Sequence, residues 1–239
     1  MTTATPTREA GHSTTTTAPA RFREAFGTWT PQAVVFDCDG LLLDTESVWK
    51  SSQRRVLEAL GGTFTPQLES AGHGATIEQV AADFAAECGT EYAPTLTRLT
   101  EQFESDLGDG VLAKPGAREV LEAAAARVPI ACASNSWLSL LEDKLEAAGF
   151  RHLFTRIEAA DTVQRGKPFP DIYEAAARRT GVEDFSQALA FEDSATGALA
   201  ARRAGLRLIA VPEEGEAPPA DLALTTLADP ELLDWIATW

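Results

Sequence analysis

The feature that most constrains this chain is an apolar run, residues 33–36, that stops at Asp37-Cys38-Asp39 and is followed by Gly40. Four consecutive apolar residues bounded by polar ones read as a buried strand. Side chains of extended chain alternate, so acids at i and i+2 are expected on one side of the strand end. Two carboxylates held that close repel, and they call for a cation between them, a shared proton, or both. Hard oxygen ligands favour Mg²⁺, and Gly40 permits a tight turn. Taken alone, D-x-D-G is also what a plain turn at a strand end looks like, because Asp and Gly are common turn formers.

The same rhythm returns along the chain. Strands are predicted over residues 32–36, 128–133, 156–159, 188–191 and 206–211, with an edge strand at 221–225, and helical patterns lie between them. Buried strands alternating with helices predict an α/β fold, a doubly wound parallel sheet covered on both faces. Residues 46–113 break the rhythm with helical patterns only. Trp49, Val56, Leu57 and Leu60 form one stripe, Ile77, Val80, Ala81 and Phe84 a second, and Leu96, Leu99, Phe103 and Leu107 a third. Thr76 with Gln79 reads as a capping box for the second helix. The expected organisation is a core of residues 31–45 and 114–239 with a helical cap, 46–113, inserted after the first strand. Residues 1–30 are dominated by Thr, Ala and Pro, with Thr14 to Thr17 consecutive, and read as a disordered tail.

Composition narrows the function classes. A length of 239 residues suits one α/β domain with a small insert. The formal net charge of −16 argues against nucleic acid or an anionic membrane as partner. An anionic substrate must then be met by a local positive site. No apolar run approaches the roughly 18–20 residues of a membrane span. Cys38, Cys88 and Cys132 show neither a disulfide framework nor a zinc pattern, so a reducing cytoplasm is expected.

In open α/β sheets ligands bind beyond the carboxyl ends of the strands, and four polar clusters fall there: Asp37 with Asp39, Ser134-Asn135-Ser136, Lys167, and Glu192-Asp193. Each also has a plainer reading. Ser134-Asn135-Ser136 is either a helix cap or a phosphate cradle, which use the same free N–H groups. Lys167, fixed between Gly166 and Pro168, is either solvated surface or a counter-charge for transferring oxygens. Asp171 is expected to cap or brace that turn. Glu192-Asp193 either favours a helix dipole or adds an arm to a metal site.

Together D-x-D-G-x-L-x-D-T-E, Ser-Asn-Ser after a strand, G-K-P-x-P-D and F-E-D-S-x-x-G resemble, in order, the four motifs of the haloacid dehalogenase-like (HAD) superfamily. The cap pattern is similar to that of its subfamily IA phosphatases and β-phosphoglucomutase-like members. The resemblance implies a Rossmann-like core and Mg²⁺-dependent hydrolysis of a phosphomonoester through an aspartyl-phosphate. It implies Asp37 as nucleophile. Asp39 would be acid and base, with a raised pKa while Asp37 stays ionised. Ser134, Asn135 and Lys167 would hold the phosphoryl oxygens. The metal would be held by Asp37, Asp193 and the backbone carbonyl of Asp39, with Glu192 as an outer brace. The implied partner is a small phosphorylated metabolite, such as a sugar phosphate, acted on by a monomer. An acid at Asp39 distinguishes the pattern from relatives that cleave carbon–halogen bonds, which lack one, and from phosphonate-cleaving ones, which have Ala.

A sugar phosphomutase similar to β-phosphoglucomutase is the alternative. Those relatives carry His where this chain has Trp49, and Arg where it has Ala75. Trp49 is then either an apolar wall over the substrate or cap packing, and His73 either touches substrate or is a solvated loop residue. A non-catalytic binding module on the same fold is a third possibility, since fold alone does not guarantee activity.

Overall fold

The structure, a computed structural model, describes residues 17–72, 77–108, 110–212 and 215–239. Among these, six strands form one sheet: β1 Ala33–Phe36, β2 Ile130–Ala133, β3 Arg156–Glu158, β4 Ala188–Glu192, β5 Arg207–Ala210 and β6 Leu222–Ala223, in the order β3-β2-β1-β4-β5-β6. Every pairing is parallel. The predicted doubly wound α/β class is the observed one.

The residues of β1 explain how the sheet is covered. Val34 and Phe36 join one hydrophobic cluster with Ile130, Cys132, Leu189 and Phe191. Ala33 and Val35 join another with Ala131, Ala133, Ala188 and Ala190. Period two thus divides the strand between two cores, with bulky side chains on one face and small ones on the other. The small face lets two Ala-rich helices, Asp171–Arg179 and Ala195–Arg203, lie against the sheet.

Strand order reverses beside β1. The chain passes from β1 to β2 and β3 on one side, then crosses back to β4 on the other. Such a switch point leaves a crevice at the carboxyl ends of the strands. The pairings Phe36↔Phe191 and Phe36↔Cys132 bring Asp37 beside Glu192, with Ser134 on the opposite flank.

Ten α-helices lie among the described residues: α1 Ala20–Phe26, α2 Thr45–Ala59, α3 Pro66–Gly72, α4 Ile77–Cys88, α5 Tyr92–Gly108, α6 Ala117–Ala125, α7 Leu138–Ala147, α8 Asp171–Arg179, α9 Ala195–Arg203 and α10 Pro230–Ile236. Asp44 caps α2 by accepting a bond from the Ser47 N–H at 3.2 Å. The helices α2 to α5 enclose a cluster of their own: Trp49, Val56, Leu57, Val80, Ala81, Phe84 and Leu99. Buried Asp106 ties α5 to α2, accepting from Ser52 at 2.7 Å and from Arg55. The helix α3 was not predicted. Trp49 is buried edge-on against Phe103 with ring centres 5.0 Å apart, which is the cap-packing reading. His73, Ala75 and the Thr76 of the predicted capping box lie outside the described residues.

Residues 17–30 overturn part of the predicted tail. They include α1, whose Phe22 and Phe26 are buried and each stack on Trp235 of α10 with ring centres 4.8 Å apart. Arg21 pairs with Asp229, the cap of α10. A composition reading misses this because a two-turn helix with one i,i+4 aromatic pair is stable only through partners at the far end of the chain. Residues 1–16 lie outside the described residues. No helix among the described residues is long and apolar enough to cross a membrane.

Candidate active site

Asp37, at the end of β1, is buried, and the Lys167 ammonium donates to its Oδ1 and to Glu192 Oε1, the latter at 2.5 Å. Lys167 is held by its backbone. Its N–H donates to Asn135 Oδ1 at 2.8 Å and its carbonyl accepts from Asn135 Nδ2 at 3.1 Å. Asn135 therefore clamps the Lys167 turn with both ends of its amide. A β-carbon at Gly166 would fall 2.6 Å from that Oδ1, so the motif requires glycine there. Asp171 braces the same turn through a two-pronged pair with Arg165, the shortest contact being 2.8 Å.

Oxygens of Asp37, Glu192 and Asp193 lie within 4.8 Å of one another. Glu192 is already fully partnered. Its Oε1 also accepts from the Tyr173 hydroxyl at 2.6 Å, and its Oε2 from the Ser194 hydroxyl at 3.0 Å and N–H at 3.3 Å. Asp193 sits against Gly40, whose φ of +85° makes the turn and where a β-carbon would lie 2.1 Å from Asp193 Oδ2. Burial, only partly offset by Lys167, and then the repulsion of Glu192 and Asp193 push Asp37 well above the usual carboxylate range. Burial and Glu192 raise Asp193 to about 7. Lys167 is raised despite its burial, by Asp37 and Glu192. The group thus carries more negative charge than one lysine neutralises. Its donors are all hard oxygens, which fits a small divalent cation.

Asp39 departs from expectation. Its carboxylate does not share the partners of Asp37. Oδ1 accepts from Lys144 Nζ at 2.5 Å, and Oδ2 from the Ser134 and Ser136 hydroxyls at 2.8 and 2.9 Å. The alternation rule fails because β1 ends at Phe36 and the chain already curls at Asp39, which bridges to Leu43. The expected ordering of the two acids is also reversed. Burial would raise Asp39, but the Lys144 charge and three hydrogen bonds outweigh it, and the group sits below its ordinary value. The helix-cap reading of Ser134-Asn135-Ser136 fails too. The first residue of α7, Leu138, donates its N–H to Asp161 at 2.8 Å; among the described residues Ser134 Oγ accepts only from the Ser136 N–H, ahead of the helix, at 3.0 Å, and both serine hydroxyls donate to Asp39. Lys144 and Tyr173 were both missed. The only sequence sign of Lys144 was a charge on the buried side of α7, among Leu141 and Leu145.

A buried carboxylate beside a lysine and two further acids, at the switch point of a parallel sheet, can act as a nucleophile toward a dianionic group. Comparison with known proteins places the chain in a family of hydrolases. The profile of haloacid dehalogenase-like hydrolases matches residues 31–205. A fructose-1-phosphate phosphatase of Escherichia coli strain K12 is 33% identical over 180 residues, covering 74% of this chain and 95% of its own. A solved Thermotoga maritima structure, provisionally named a beta-phosphoglucomutase, superposes with a TM-score of 0.77 at 25% identity over 86% of this chain and 98% of its own. A HAD family hydrolase from Deinococcus radiodurans R1, solved with bound phosphate and sodium, gives 0.68 at 30% identity over 83% and 92%. The chain belongs to the haloacid dehalogenase-like hydrolases.

Proposed function

We propose that the protein is a Mg²⁺-dependent phosphomonoesterase acting on a small phosphorylated metabolite, such as a sugar phosphate, through a phosphorylated Asp37. The observation that carries this reading is the buried Asp37 carboxylate joined to Lys167 within reach of Asp193 and Glu192. An Asp37 oxygen bonds to phosphorus as the bond to the leaving alcohol breaks. Asp39 gives that alkoxide its proton; the charge of a bound phosphoryl group beside Lys144 would raise Asp39 from its depressed value, as a divalent cation would lower Asp37. Water then attacks the aspartyl-phosphate, Asp39 takes the water's proton, and inorganic phosphate leaves. Lys167 and Ser134 hold the phosphoryl oxygens, and Asn135 acts by fixing Lys167. Asp37, Asp193 and the Asp39 carbonyl would hold Mg²⁺, with Glu192 as a brace because its own oxygens are occupied. The ion supplies charge neutralisation for the phosphoryl oxygens.

Residues 46–113 act as the cap that covers the site, supported by their separate hydrophobic cluster. The sugar-phosphate class is supported by the fructose-1-phosphate phosphatase relative. A phosphate-release screen over a phosphomonoester panel, with and without Mg²⁺, tests the reading, and metal-dependent release is expected. Conversion of β-glucose 1-phosphate to glucose 6-phosphate without free phosphate would instead establish the mutase alternative.

A further inference from the structure

Lys144 has no part in the mechanism just given, yet its side chain is only 3% exposed. Burying an ammonium costs several kcal/mol unless it is paired with good geometry. An apolar side chain would pack on this side of α7, as Leu141 and Leu145 do. What distinguishes Lys144 is its target. It donates to Asp39 Oδ1 at 2.5 Å and to Ser136 Oγ at 2.8 Å. The two oxygens of Asp39 are held differently. Oδ1 is held by an ammonium on a helix, whereas Oδ2 is held by two serine hydroxyls, groups that reorient by rotation.

We propose that Lys144 is a positioning residue that pins Asp39 through Oδ1 and leaves Oδ2 as the oxygen that exchanges a proton with the leaving alcohol. When the Ser134 hydroxyl turns to a phosphoryl oxygen, Oδ2 loses a donor while Oδ1 stays fixed. The carboxylate then pivots about the Lys144 contact instead of swinging freely. Orientation of this kind determines how much an acid contributes. The inference rests on the assignment of Asp39 as the acid.

The test is Lys144→Met, assayed with two probes: the alkyl phosphate that the wild type hydrolyses fastest in the panel, and p-nitrophenyl phosphate. The kcat/KM of each reports the step in which the alcohol leaves. An alkoxide needs the proton of Asp39, whereas p-nitrophenolate leaves nearly without it. The expected loss with the alkyl phosphate exceeds the loss with the aryl phosphate by about tenfold or more. Equal losses on both probes would overturn the inference. If Lys144→Met does not fold, Asp39→Asn and Asp39→Asn/Lys144→Met are compared, since the double variant leaves no charge unpaired. There the added substitution is expected to change kcat/KM for the alkyl phosphate by less than about twofold, and a further large drop would count against positioning. A wild type that releases no phosphate from any panel member would overturn the assignment of function instead, and the inference with it.

Discussion

Glu192 occupies the space that a β-carbon on Gly197 would need: a Cβ there would lie 1.8 Å from its Oε1. The glutamate cannot simply step aside, because Lys167, Tyr173 and Ser194 all hold it. Gly197→Ala gains up to about 1 kcal/mol of helix propensity in α9. Overpacking costs about 1–3 kcal/mol, and so tight a contact against a bonded side chain belongs at the upper end. The expected result is a lower urea midpoint together with weakened turnover, because displacing Glu192 moves Lys167. A variant with wild-type stability and activity would show that Glu192 is not the brace described.

Asp37→Asn is expected to lower kcat on the order of 10⁴-fold or more, as removal of a nucleophile does in other enzymes. It should not lower stability, since it removes a charge whose burial and repulsion from Glu192 and Asp193 together outweigh its attraction to Lys167. Asp39→Asn should cost roughly 10²–10⁴-fold. Rapid acid quench of the wild type during turnover, followed by peptide mass spectrometry, is expected to find a phosphoryl group on Asp37. A phosphoryl group on another residue would refute the mechanism, and an Asp37→Asn protein with normal turnover would refute the nucleophile.

Metal-free protein should lose stability as pH rises from about 4 to about 7, the interval between the ordinary and the folded value of Asp193. In that interval the folded state binds the Asp193 proton and the unfolded state does not, so each rise in pH favours unfolding. Mg²⁺ competes with that proton, so its affinity should rise over the same range. Thermal melting in a chelator against pH, repeated with saturating Mg²⁺, checks both. A melting temperature that climbs across this interval without metal would contradict the assignment of Asp193.

Phe22 and Phe26 seal one end of the core against Trp235. Truncating a buried Phe to Ala costs about 3–5 kcal/mol. Phe22→Ala is therefore expected to destabilise the protein by that amount, measured by urea denaturation. A change below about 0.5 kcal/mol, usual for exposed positions, would return this segment to the tail class.

The legible parts of this protein were those governed by neighbours in sequence. The apolar run before Asp37 and the glycine after Asp39 depend on contacts within a few residues, so period and turn chemistry reveal them. The order of the four motifs along alternating strands was enough to place Asp37, Lys167, Glu192 and Asp193 at one edge of a parallel sheet. Helices α2, α4 and α5 were legible from their apolar stripes, and α3 was not.

What escaped depends on distant partners. Lys144 meets Asp39 across 105 positions and Arg21 meets Asp229 across 208, so no local pattern marks either pair. The amino-acid sequence by itself determined the fold class and which residue types stand at the strand ends, because periodicity and turn chemistry are short-range. Only the tertiary structure decided which acid each cation serves, that Asp39 turns from Asp37 toward Lys144, and that α1 is part of the core. Burial and charge pairing are properties of the assembled space, and they set those choices.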